Sequence, residues 1–255
     1  MASSTSDGAA APEYVVVPPK QEHTATIILI HGLGDTGNGG MSVLANMFSS
    51  DHELQHIKWI LPHAPKRSVS ANQGRIMPAW YNIFSFTDPS EDEGDVQQSA
   101  RGFNALIEAE LAAGIPIDRI VLGGFSQGGS MTAYTGLTTE HKLAGLFILS
   151  GRLLLKNKWK SLPFSQHVKE LPIFWGHGLD DPIVKYQSGV DSANFLKSEL
   201  GIQEVDDSAV AAGEKPVGLS FHSYEGLPHT IGEQEMEDLK KWLKAVIPRV
   251  ASDSH

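Results

Sequence analysis

Cysteine is absent from all 255 residues. That excludes disulfides, thiolate metal sites and a thiol nucleophile, and the chain cannot itself be S-acylated or prenylated. Clusters of Lys and Arg are missing as well, and the formal net charge is -10. Neither nucleic acid nor an anionic membrane surface is therefore expected as a standing partner. No apolar run approaches the roughly 20 residues that a membrane-spanning helix needs, so no stable membrane insertion is expected. The N-terminal stretch has neither a basic segment nor an apolar one and reads as a disordered tail over residues 1–13. Residues 249–255 read as a second polar tail. No P-loop Gly-Lys-Ser/Thr and no His-Glu-x-x-His occur, and the histidines and carboxylates are scattered, which argues against a metal or nucleotide cofactor. An intracellular, soluble protein is the expectation from these absences.

What is present is a hydrophobic content of 41% spread over enough chain for one sizeable domain, expected over residues 14–248. Apolar runs without polar alternation recur at Ala25–Ile30, Ile57–Leu61, Ile120–Leu122, Leu143–Leu149 and Leu171–Trp175, which is how strands buried on both faces read. Between them lie stretches with helical spacing. From 96 to 113, Ala100, Phe103, Leu106, Ile107 and Leu111 share one face, and from 233 to 247 so do Met236, Leu239, Trp242, Leu243 and Val246. Residues 185–201 suit another helix, the acidic run Glu91-Asp92-Glu93 reads as a solvated face or helix start, and 206–213 reads as a loose insertion. Tyr14–Val17, closed by Pro18-Pro19, reads as an edge strand. Strands alternating with helices predict an α/β fold, a mostly parallel central sheet with helices on both faces.

The centre of this pattern is Gly124-Phe125-Ser126-Gln127-Gly128, between a strand and a helix-compatible stretch. A G-x-S-x-G segment at such a junction forms a sharp turn with the serine at its apex, and small neighbours let strand and helix approach. Three loops at strand C-terminal ends then carry Ser126, an Asp in Leu179-Asp180-Asp181-Pro182, and His229. The acid loop is expected one strand along from the nucleophile strand. Serine is a poor nucleophile at neutral pH; it needs an imidazole to take its proton and a carboxylate to fix the imidazole's tautomer. His229 is the candidate base because, of the eleven histidines, it alone lies in the loop that follows the last strand. Asp180 and Asp181 both qualify as the acid on sequence alone. His177 reads as a supporting donor and His31 as a group that orients backbone.

A second glycine-rich turn, His31-Gly32-Leu33-Gly34-Asp35-Thr36-Gly37, follows the first central strand. Gly32, Gly34 and Gly37 satisfy the spacing of a dinucleotide fingerprint, but the next strand ends at Pro62-His63 with no acid to hold a ribose. The turn instead suits one amide of an oxyanion hole, from Leu33, with the Gln127 N–H as its partner at a helix N-terminus.

With these residues in place, the sequence resembles the acyl-protein thioesterases, the phospholipase/carboxylesterase family of small α/β-hydrolases. The resemblance covers residues 24 to 247 and rests on His31–Asp35, Met77–Tyr81, Gly123–Gly129, His177-Gly178 with Asp181-Pro182, and Tyr224–Gly226 followed by His229. It implies an α/β-hydrolase fold, Ser126, Asp181 and His229 as the triad, and Leu33 and Gln127 as oxyanion donors. It implies no cofactor, and hydrolysis of palmitoyl-like thioesters on protein cysteines, with some esterase and lysophospholipase activity. Cytosol, with the nucleus as a second compartment, is the implied location. Apolar walls for the acyl chain are expected from Trp80, Leu153, Leu154 and Leu179. Gly151-Arg152-Leu153-Leu154 departs from the family's Trp-Leu-Pro-like segment, and the stretch 206–216 is longer than the family pattern.

Overall fold

A computed structural model describes residues 10–86, 90–205, 207–212 and 214–250. Seven strands form the central sheet: β1 (Tyr14–Val17), β2 (Ala25–Ile30), β3 (Ile57–Pro62), β6 (Ile120–Phe125), β7 (Gly145–Leu149), β8 (Pro172–Gly178) and β9 (Gly218–Tyr224). Their spatial order is β1-β3-β2-β6-β7-β8-β9, with β1 antiparallel to β3 and every other pairing parallel. All the parallel strands thus end on the same side, and the loops leaving β2, β6, β8 and β9 open towards one edge. This is where ligands bind in open α/β sheets. The acid-bearing loop follows β8, two strands from β6 with β7 between them, one strand further than the sequence reading put it.

Because successive strand residues point to opposite faces, the apolar runs feed two cores. On one face Ile28, Ile30, Leu122, Ile148 and Trp175 pack under α2 (Glu93–Ala112), α3 (Gln127–Thr138) and α4 (Tyr186–Ser198). On the other, Ile27, Leu29, Trp59, Phe147 and Phe174 pack under α1 (Gly40–Phe48) and α6 (Glu233–Val246). Each fully buried Leu, Ile or Phe contributes about 1.5–3 kcal/mol, so these two layers hold the strand ends rigidly in register. The acidic run is the start of α2: the Asp92 side chain caps it by accepting the Asp95 N–H at 3.0 Å.

Three local features differ from the sequence reading. A two-stranded hairpin, β4 (Lys66–Val69) and β5 (Arg75–Pro78), precedes the aromatic stretch at Trp80. In the 206–213 stretch, Asp207–Ala211 forms the short helix α5, which packs Val210 against the core holding Phe174 and Trp242; Asp206 and Gly213 lie outside the described residues. Of the N-terminal stretch read as a tail, residues 1–9 also lie outside them. Ala10 to Glu13 lie on the body instead: Glu13 C=O accepts the His63 N–H at 2.7 Å, and Pro12 abuts Gly102 of α2. Residues 251–255 of the C-terminal stretch are likewise outside. Among the described residues no helix is long and apolar enough to cross a membrane.

Candidate active site

Between β6 and α3 the chain reverses through Ser126, whose φ of 57° and ψ of -117° place a non-glycine residue in a sparsely populated region. Such backbone costs on the order of 1–3 kcal/mol and persists only where the surroundings impose it. Here they do. The Ser126 N–H donates to Leu149 C=O at 2.8 Å, and Ser126 C=O accepts the Ser130 N–H at 2.9 Å. A Cβ on Gly124 would lie 2.5 Å from the carbonyl carbon of Gly128, and one on Gly128 would lie 2.1 Å from Ile30 O. Only glycine at both positions lets α3 start this close to β2 and β6.

Two loops then meet Ser126. His229, in the loop after β9, places Nε2 2.8 Å from Ser126 Oγ and Nδ1 2.7 Å from Asp181 Oδ2. The carboxylate of Asp181 is fully buried, and its other oxygen accepts the Ile183 and Val184 N–H groups at 2.8 and 2.9 Å. Those bonds distinguish the two aspartates: Asp181 is locked in its turn facing the imidazole, whereas Asp180 is exposed.

Two more histidines brace these loops. His177 is buried, and its Nε2–H donates to Val184 C=O at 2.8 Å, tying β8 to the far side of the acid turn. Burial pulls its pKa below the ordinary histidine value, so it is neutral, and Nε2 sits 3.6 Å from Asp181 Oδ2. His31 is likewise buried and held below the ordinary value by desolvation. Its Nδ1–H donates to Gly32 C=O at 2.7 Å and its Nε2 accepts the Ala64 N–H at 3.2 Å, fixing the turn that carries Leu33.

The Gln127 side chain does something the sequence did not announce. Its Oε1 accepts the Trp80 N–H at 2.8 Å and its Nε2–H donates to Tyr81 C=O at 2.9 Å, stapling the aromatic stretch to the start of α3. Trp80 Nε1–H in turn donates to His31 C=O at 2.9 Å, so the two glycine-rich turns are linked through one indole. A Cβ on Gly32 would come within 3.3 Å of Ser126 Cβ, so the turn that carries Leu33 lies against the serine. Among the described residues neither the Leu33 nor the Gln127 N–H has a backbone acceptor.

A cleft of about 440 Å³ opens at Ser126 and His229, within the usual range of small-molecule sites. Its apolar walls are Leu33, Ile83, Phe86, Phe125 and Ile183, and its polar part is formed by Tyr81, Ser130, Arg152, Lys185 and Ser188. None of the four residues expected as acyl-chain walls lines it. Trp80 is buried beneath the His31 turn, Leu153 and Leu154 are enclosed in the core against α4, and Leu179 points to solvent at 39% exposure. Arg152 occupies the cleft wall instead, paired with the buried Glu91. No group of three or more His, Asp or Glu among the described residues is arranged to hold a metal ion.

The family model described as phospholipase/carboxylesterase matches residues 11–247 of this chain. The acyl-protein thioesterase 1 of Cryptococcus neoformans var. neoformans serotype D is 43% identical over 235 residues, covering 91% of this chain and 96% of that protein. Its namesake from Schizosaccharomyces pombe is 40% identical over 234 residues, with coverage of 91% and 96%. Among solved structures, Arabidopsis thaliana SOBER1 superposes with a TM-score of 0.75 at 28% identity, covering 88% of this chain and 99% of its own. Zea mays acyl-protein thioesterase 2 gives 0.73 at 29% identity, covering 92% and 99%. In sequence and in fold, the chain belongs to the phospholipase/carboxylesterase family of α/β-hydrolases.

Proposed function

We propose that this hydrolase cleaves long-chain acyl thioesters from S-acylated protein cysteines through an acyl-enzyme on Ser126. The observation that carries the chemistry is the hydrogen-bonded chain Asp181–His229–Ser126, at 2.7 and 2.8 Å, at the edge of an apolar cleft. The substrate class rests on the similarity to proteins named acyl-protein thioesterase.

His229 Nε2 takes the Ser126 proton as Oγ attacks the thioester carbonyl, and Asp181 holds the Nδ1–H and stabilises the imidazolium. Negative charge then grows on the carbonyl oxygen, where the Leu33 and Gln127 N–H groups receive it; the α3 N-terminus adds its dipole. Collapse of this adduct expels the cysteine sulfur, to which His229 returns the proton. A thiol with a pKa near ~8.5 leaves far more readily than an alcohol, so the first half-reaction demands little of His229. Water, activated by the same imidazole, then releases the fatty acid, and this second half is the slower.

The competing reading, a carboxylesterase or lysophospholipase acting on small or lipid esters, is favoured by the polar groups Arg152, Lys185 and Ser188 in the cleft. Comparing kcat/KM for an S-palmitoyl peptide with that for short nitrophenyl esters separates the two. The proposal expects the peptide thioester to be the better substrate; turnover of short esters alone would replace it with the competing reading.

A further inference from the structure

We infer that the Glu91–Arg152 ion pair is the polar end wall of the acyl cleft and sets the acyl length beyond which added methylenes stop helping catalysis. The inference rests on the acyl-thioester reading above and gives it a chain-length limit.

The pair is built into the fold. Glu91 joins Ile83 in an isolated antiparallel bridge, so it is anchored to a residue of the cleft wall. Its side chain is 2% exposed; Oε1 accepts from Arg152 Nη2, and Oε2 accepts the Leu155 N–H at 3.1 Å. Arg152 is tied down through its backbone as well, since its N–H donates to Ser130 Oγ at 3.1 Å, and that hydroxyl donates to Ser126 C=O at 3.1 Å. Ser130 lies four residues along from the nucleophile, an axial step of about 6 Å. Arg152 therefore stands close beyond the reacting serine in a direction the chain cannot easily vary.

The direction matters because His229 has to face the leaving sulfur in order to protonate it. The acyl chain then runs from Ser126 towards the other part of the cleft, where Tyr81, Ser130 and Arg152 lie. Along Leu33, Ile83 and Phe125 each added methylene is worth about fourfold in kcat/KM, the equivalent of ~0.8 kcal/mol. At the guanidinium this gain ends. Arg152 lines the cleft, and among the described residues the acceptor for its guanidinium is Glu91, so the rest of this charged group borders the space that the acyl chain would enter. A methyl terminus arriving there strips water from a charged group and offers no replacement. Longer chains have to bend away over the Ile183 rim, which is 58% exposed.

The experiment is a series of S-acyl peptides, butyryl to palmitoyl, each kept below its critical micelle concentration, with the full-length protein and with the double variant Glu91→Gln/Arg152→Met. The variant removes both charges, keeps an acceptor for the Leu155 N–H and leaves no unpaired buried carboxylate. The wild type should show kcat/KM rising with length to a break short of palmitoyl, then level or falling. In the variant the break should move to longer chains, raising the palmitoyl-to-octanoyl ratio at least tenfold. A wild-type series rising without a break to palmitoyl overturns the inference, as does a variant that melts cooperatively, reacts with a fluorophosphonate and keeps the wild-type break. If the variant does not fold, the wild-type series decides alone. Failure of the thioester reading looks different: no S-acyl peptide of any length is turned over, and nitrophenyl esters of the same acids then report whether the break exists.

Discussion

Gly128→Ala is the perturbation whose consequence the structure specifies most tightly. The added Cβ would sit 2.1 Å from Ile30 O and 2.6 Å from His31 O, both backbone atoms at the end of β2, so no side chain can swing aside to make room. Either α3 lifts away from the sheet or β2 yields, and both carry the Leu33 turn and the Gln127 amide with them. Overpacking of a core costs typically 1–3 kcal/mol. With backbone on the receiving side the upper end applies, about 3 kcal/mol, or ~6–12 °C in Tm for a chain of this length. Misplacing a reacting group by about 1 Å costs on the order of 10² in rate, and kcat/KM should fall by at least that. Gly40→Ala serves as the control, because a Cβ there meets nothing nearer than Asp35 Oδ2 at 3.6 Å in an exposed first turn of α1. It should leave Tm unchanged or slightly raised. Thermal melts and ester hydrolysis on the two variants check this. A Gly128→Ala protein with wild-type Tm and activity would refute the claim that this glycine sets the approach of α3 to β2.

Two further outcomes follow from buried carboxyl groups. Burial pushes the Glu235 carboxyl up from 4.5 to about 7, and its Oε1, packed over Gly176, has no partner among the described residues. A carboxyl raised in the folded state holds its proton more tightly there than when unfolded, so its stabilising contribution is full at low pH and is lost as pH rises from about 4.5 through 7. That loss is about 3 kcal/mol. Glu235→Gln should therefore melt with the wild type at pH 4 and above it at pH 8.5; equal melting at both would show that Glu235 carries no such penalty. Asp181→Asn keeps a side-chain oxygen to accept the Ile183 and Val184 N–H groups but removes the charge facing His229. Its kcat should fall by about 10⁴ with little change in Tm; a drop of less than tenfold would remove Asp181 from the mechanism.

What the sequence made legible follows from where the energy lies. The strands β2, β6, β7 and β8 are buried on both faces, and such strands must be uninterrupted apolar runs. Loops at their C-terminal ends follow from the parallel topology, and the three loops expected to converge do bring Ser126, Asp181 and His229 within hydrogen-bonding distance. The β4–β5 hairpin left no such mark: Lys66, Arg75 and Ile76 are exposed and Val69 alone of its eight residues is fully buried, so it carries no apolar run. Which apolar residues face the cleft was also beyond a one-dimensional pattern. Leu153 and Leu154 are apolar because they are core, whereas Arg152 beside them reaches the cleft because Glu91, 61 residues away in sequence, receives its charge. The role of Gln127's side chain was hidden for the same reason, since its partners at Trp80 and Tyr81 are nearly 50 residues away.

The most direct test of the central claim is fluorophosphonate labelling of the folded protein, with the modified peptide identified by mass and turnover measured for Ser126→Ala. The account predicts one adduct, on Ser126, and a fall in kcat on the order of 10⁶ in the variant. An adduct on another residue, or a Ser126→Ala protein that keeps most of its activity, would contradict it.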